Sequence, residues 1–176
     1  RTTAWIGMGL VIVTATTLVL MLAIPATDSV IIEDFEDDPP GTVIAGPLPG
    51  GGYVPGHLSP YFTLQGTNHG EGPDALVIFD SSNPTGRDAD LGTPNQSFMG
   101  PGIGAGGAQG QPGENAVPLG NVLIIPKNTR DADPEDGRVD SPDDESDGGK
   151  IRVDFERSFV VESVLVLDID EQTGAT

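Results

Sequence analysis

The sequence predicts an all-β fold, an antiparallel β-sandwich with long Gly/Pro-rich and Asp-rich loops. Glycine and proline are abundant, 25 and 16 of 176 residues, which suits a turn-rich β protein. Short runs rich in Val, Ile and Phe recur between turn residues, and one of them alternates apolar and polar at period two. From residue 30 onward no ten-residue stretch carries an amphipathic 3.6-residue period.

The first element is an apolar run. Residues 2–27 carry no charge, and Ala4 to Ile24 is nearly continuous in its hydrophobicity. Such a run reads as a signal peptide, a membrane helix or a buried strand. Its β-branched residues Val11, Ile12, Val13, Thr14, Thr16, Thr17 and Val19 favour the extended form, and Gly7 and Gly9 weaken a helix. Extended, the run would reach about 70 Å. As a helix it would reach about 32 Å. Either length suffices to leave one domain and enter another. The chain therefore divides into an N-terminal assembly segment, 1–29, and a β-sandwich domain, 30–176.

Strands are then expected at 30–36, closed by Asp38-Pro39-Pro40-Gly41, and at 61–65, 75–79 and 121–125. At 150–156, Ile151, Val153 and Phe155 alternate with Lys150, Arg152, Asp154 and Glu156, the pattern of a strand with one buried face. The stretch 159–170 is more continuously apolar and reads as a central strand. Glu171-Gln172-Thr173-Gly174 then reads as a turn towards a returning strand for which the given sequence holds no residues. An unpartnered apolar edge is something native proteins avoid. The N-terminal segment of a neighbouring copy would fill it, by donor-strand complementation. Assembly residues are then Trp5, Ile6, Met8, Leu10 and Ile12 on the donor and Val160, Val164 and Val166 on the acceptor. Folding back into its own domain is the competing placement.

Two loops carry the chemistry. Residues 80–120 have almost no strand signal, with nine glycines between Gly92 and Gly120; residues 131–147 are nine-seventeenths acidic. Loops this long inside a compact domain are usually functional. Aspartates folded inward by Gly and Pro turns offer the hard oxygen ligands that calcium takes. The candidate metal ligands are Asp80, Asp88 and Asp90 in the first loop. In the second they are Asp131, Asp133, Asp136, Asp140, Asp143 and Asp144. The second loop opens like an EF-hand but has neither its terminal glutamate spacing nor flanking helices. Structural calcium is the expected cofactor. Asn95-Gln96-Ser97 is a glycan acceptor sequon, with Asn95 the attachment residue.

Charge and composition exclude several classes. Lys+Arg is 8 and Asp+Glu 27, a net charge of −19, which repels nucleic acid and anionic membrane surfaces. Without cysteine there is no disulfide, thiolate metal site or thiol nucleophile. His57 and His69, the only histidines, stand in Gly-rich sequence, no GxSxG elbow is present, and GPGIGAGGAQG does not join a strand to a helix. The chain reads as a non-enzyme.

The string DLGTPNQSF…GPGIGAGGAQGQPGEN…LGNVLIIP…DSPDDESDGGKIRVDF…VESVLVLDID resembles a widespread family of secreted β-sandwich domains of environmental bacteria, over roughly residues 35–170. More narrowly, the chain resembles protomers of tubular extracellular filaments found by cryo-EM of natural water. That resemblance implies an extracellular or cell-surface location and a structural role without catalysis. It also implies copies of the same chain as partners, the N-terminal strand of one completing a sheet in another. Two alternatives accompany it. One is a membrane-anchored or pilin-like surface protein with residues 4–24 helical. The other is a calcium-dependent carbohydrate-binding module, whose aromatic platforms would come from Trp5, Tyr53 and Tyr61, the only Trp and Tyr residues.

Overall fold

The structure is a computed structural model that describes residues 10–13, 17–23, 30–132 and 135–167. The described chain is β-rich, with only two 3-10 turns as helical elements. The strands are β1 (Leu10–Val13), β2 (Thr17–Ala23), β3 (Val30–Glu33), β4 (Val43–Pro47), β5 (Tyr53–Pro55) and β6 (His57–Ser59). They continue with β7 (Phe62–Asn68), β8 (Leu76–Asp80), β9 (Asn121–Ile124), β10 (Gly149–Phe155) and β11 (Val160–Leu165). A four-stranded sheet runs β1-β10-β7-β6. A seven-stranded sheet runs β11-β2-β9-β8-β4-β5, with β3 also pairing β2. Each described strand pairing is antiparallel.

The apolar alternation of the sequence becomes two cores. Leu64 of β7 and Ile151 and Val153 of β10 meet Ile44 of β4, Ile78 of β8 and Leu123 of β9 in one cluster shared by both sheets. On the opposite face of the seven-stranded sheet, Val77, Phe79, Val122 and Ile124 pack under Leu91 and Val139, which belong to the two long loops. Thus β8 and β9 are buried on both faces, which is why 76–79 and 122–125 read as unbroken apolar runs rather than alternating ones. The long loops are roofs over this sheet. Gly41 ties one of them down. Its N–H donates to Ile78 O and its carbonyl accepts from Val139 N, at φ +85° and with backbone so close that a Cβ would collide with Val139 O.

The expected strands appear with shifted ends, and the one at 61–65 runs longer, Phe62–Asn68. The 30–36 strand stops at Glu33, because Phe35 takes φ 60° and turns its ring into the shared core. Asn121 holds that turn, donating Nδ2 to Phe35 O and Asp38 O at 2.9 Å each while its N–H donates to Glu36 Oε1. The C-terminal strand spans Val160–Leu165 rather than 159–170, with an irregularity between Val161 and Ser163; residues 168–174, including the expected turn, lie outside the described residues. Strands β4, β5 and β6 have no counterpart in the expected set, since their glycines and prolines conceal the pattern.

The described pieces of the apolar N-terminal run, residues 10–13 and 17–23, are strands. Its first described piece, β1, pairs β10, with Leu10 opposite Asp154 and Ile12 opposite Arg152. Its second, β2, lies inside the larger sheet, pairing β11 on one side and β9 and β3 on the other. Within the single chain, then, the partner of the C-terminal strand is the chain's own N-terminal segment. Among the described residues no helix is long and apolar enough to cross a membrane.

Candidate functional site

The two acidic loops meet. After β8, Asp80 accepts from Ser82 N at 2.8 Å and the chain turns back at Asn83. A 3-10 turn at Ala89–Leu91 then lowers Leu91 into the outer core and draws Asp88 inward, to 6 % exposure. The second loop comes alongside. Thr85 Oγ1 donates to Pro142 O at 2.8 Å, Arg87 N donates to Asp143 Oδ1 at 3.0 Å, and Asp144 N donates to Asp88 Oδ2 at 2.5 Å. Gly86, at φ +67°, lets the strands of the latch touch; a Cβ there would come within 2.5 Å of Asp143 Oδ1. Lys127 Nζ, 3.9 Å from Asp143 Oδ2, is the basic group at this junction that reaches a carboxylate.

Electrostatics single out one pair. Burial and a side-chain hydrogen bond with Asp144 push the Asp88 carboxyl up to about 9. Burial raises Asp144 as well, with Asp90, Asp143 and Glu145 adding like charge. Two carboxyls this close, one buried and the other partly so, disfavour carrying charge together, and a proton relieves the pair. Asp90, exposed on its turn, acts on the pair only through its field.

Around 131–140 a second set forms. Asp131 Oδ2 accepts from Gly137 N at 2.8 Å, and Asp140 Oδ2 accepts from Ala132 N at 2.7 Å. Asp131 Oδ1 is buried without a hydrogen-bond partner among the described residues. Asp136 turns away to Arg138, whose guanidinium holds its carboxyl below the usual carboxylate range. Asp133 lies outside the described residues. Of the nine aspartates, Asp88, Asp143 and Asp144 are brought together with Asp90 nearby, and Asp131 and Asp140 form a separate loop set. Asp80 and Asp136 have local partners of their own. Among the described residues no three acidic or histidine side chains converge to hold a metal ion by themselves.

A shallow cavity of about 430 Å³ lies beside this junction, lined by Glu71, Gly72, Lys127, Glu145 and Asp147. Glu145, 5 % exposed, accepts from Gly72 N at 3.3 Å. Nothing in the sequence marked Glu145 or Lys127. One is a single acid in an acidic run, and the other gains meaning only when Pro126 and Asp144 form a bridge. No family model matches the chain, and neither a curated protein nor a solved structure is significantly similar to it.

Asn95 has a structural position. It is 3 % exposed, and Nδ2, the atom a glycan would occupy, donates to Gly104 O and Gly106 O. Its Oδ1 accepts from both N and Oγ of Ser97 at 2.9 Å, and its backbone N donates to Asn115 O. A glycan on this nitrogen would compete with those bonds, by which Asn95 organises the Gly-rich loop from within. Asn95→Ala should cost about 2–3 kcal/mol, several net hydrogen bonds of about 1 kcal/mol each. Urea unfolding measures this, and a loss below about 0.5 kcal/mol would place the loop's order elsewhere.

The assembly residues divide likewise. Leu10 and Ile12 lie in β1, Val160 is opposite Ala23, and Val164 is opposite Leu20. Val166 follows the end of β11, and Trp5, Ile6 and Met8 lie outside the described residues. Of the aromatic platforms, Tyr53 is 69 % exposed, Trp5 is outside the described residues, and Tyr61 is engaged by Arg157, 5.6 Å from its ring centre, and by the edge of Phe159.

Proposed function

We propose that the chain is the structural subunit of a self-assembling extracellular filament, a β-sandwich whose N-terminal strand passes into a neighbouring copy. The observation that supports this reading is the position of β2. A segment from one end of the sequence stands between β11, from the other end, and the β9/β3 side. A neighbour's β2 would make the same pairings as the chain's own, so exchange costs little in contacts. Donor and acceptor surfaces differ, hence the contact is head-to-tail and propagates as an open fibre.

Calcium serves in this reading as a structural ion for the loop roofs. Asp88 and Asp144, with Asp143 and Asp90 beside them, are hard oxygen donors whose mutual charge a cation offsets. Asp131, with its unpartnered buried oxygen, and Asp140 are the second donor set. A bound ion would supply charge neutralisation and loop order, and no chemistry.

Electron microscopy of the purified chain tests the assembly. The full chain should give filaments of uniform width, and deletion of residues 1–24 should give none. Filaments of the same form from the truncated chain would sink the donor-strand reading.

A further inference from the structure

The two N-terminal strands belong to different sheets. β1 covers the edge of β10, where Ile151 and Val153 point into the shared core and Arg152 pairs outward with Asp154. β2 fills the slot between β11 and β9/β3. Between Val13 and Thr17 there are four peptide steps, which span about 14 Å at full extension. Facing sheets stand about 10 Å apart. The connection is therefore long enough for both strands to enter the two sheets of one domain.

We propose that the β10 edge and the β2 slot form one bipartite acceptor for an extended apolar peptide, and that residues 10–23 fill or leave both halves together. The ligand class is the segment itself, LVIV in one sheet and TLVLMLA in the other, supplied by the same chain or by a second copy. Supply by a second copy rests on the donor-strand reading; the coupling of the two halves does not. Without β1 the four-stranded sheet has an open edge at β10, and without β2 the strand β11 has no ladder partner among the described residues. Strand β3 loses its ladder partner as β11 does, but the turn that follows it stays attached when the segment leaves, because Asn121 anchors Phe35 and Asp38 to β9.

Coupling can be read by closing one half and watching the other. The chain has no cysteine, so two double variants are clean: Val11→Cys with Val153→Cys, and Ile12→Cys with Arg152→Cys. Of two successive opposed pairs one is non-hydrogen-bonded, with the closer approach. The variant that oxidises within the dilute full chain is compared with its reduced form by amide hydrogen exchange. The β11 amides, which the staple does not touch, should exchange slower by about tenfold or more, within the range a disulfide gives to the unit it closes. Amides of β8 report global unfolding, and the slowing at β11 must exceed theirs. Equal change at both, or none at β11, overturns the proposal. In assembly trials the oxidised chain should form no filaments and should regain them on reduction. Filaments from the oxidised chain overturn the coupling while leaving the filament reading intact. If neither the reduced nor the unmodified chain assembles while β11 is protected as expected, the filament reading fails and the coupling stands.

Discussion

The calcium-free chain should melt at a higher temperature at pH 5 than at pH 8, and added calcium should raise the pH 8 value more than the pH 5 value. The cause is the Asp88–Asp144 pair. An acid whose folded pKa lies above its unfolded one takes up a proton on folding, so stability falls as pH rises between the two values. For Asp88 that window opens near 3.8 and closes at about 9. Asp144 and Glu33, both raised by burial, act in the same direction. Asp136, lowered by Arg138, acts in the opposite direction, but it is fully exposed and solvent screens it. Growing self-repulsion of an acidic chain adds to the fall.

In the proposed reading calcium would compete with the proton for the same oxygens, and so would bind better where the proton has left. At a hundredfold excess over its Kd it contributes about 2.7 kcal/mol, or about 5–10 °C for a domain of this size. Asp88→Asn separates the two effects. The amide keeps an oxygen to accept from Asp144 N and gains an N–H to donate to the Asp144 carboxylate, so it imitates protonated Asp88. This variant should show a smaller difference between its pH 5 and pH 8 melts in EGTA than the wild type, the remainder coming from Glu33, Asp144 and self-repulsion, and should lose most of its calcium response. Parallel pH profiles for wild type and variant would remove the pair from the account, and coincident melts with calcium and EGTA would remove the ion.

Much of this site was visible in the residues but not its grouping. Asp80, Asp88 and Asp90 are equivalent as letters. Only the 3-10 turn that buries Leu91 distinguishes Asp88, and only the bridge from Pro126 to Asp144 brings the second loop against it. Strand signals were legible where one face is buried, as at Ile151 and Val153, and where both are, as at 76–79. They failed at β4–β6, where Gly46, Pro47 and Pro55 interrupt the pattern although Ile44 and Ala45 are core. At Asn95 the Asn-x-Ser spacing that reads as a sequon also makes the cap of a 3-10 turn. The N-terminal run was legible as extended from its β-branched residues. That its described strands join two different sheets was not, because both are apolar, β-branched runs of the same kind.

Leu20→Pro should remove β11 from the fold and abolish assembly together. Leu20 stands at the centre of β2, opposite Val164 on one side and Glu33 on the other. Proline supplies no N–H to either neighbour, and its ring obstructs the strand it faces, a combination that central strands do not accommodate. The cost should be about 3 kcal/mol or more. That is a large share of the 5–15 kcal/mol typical of a domain. The loss should also be local. Val161 and Val164, which pack against the shared core from β11, depend on β2 for their backbone pairing. The cluster of Val77, Phe79, Val122 and Ile124 under Leu91 keeps its β8–β9 ladder, although Ile124 also pairs Thr17 of β2. Hydrogen exchange should therefore show β11 unprotected while β8 and β9 keep most of their protection, and micrographs should show no filaments. Glu162→Lys is the control. It changes an exposed residue of the same strand, at the irregularity where the ladder skips, and should alter stability by no more than about 0.5 kcal/mol. Should Leu20→Pro leave β11 protected, the strand draws its support from elsewhere, and the slot is not where the N-terminal segment acts.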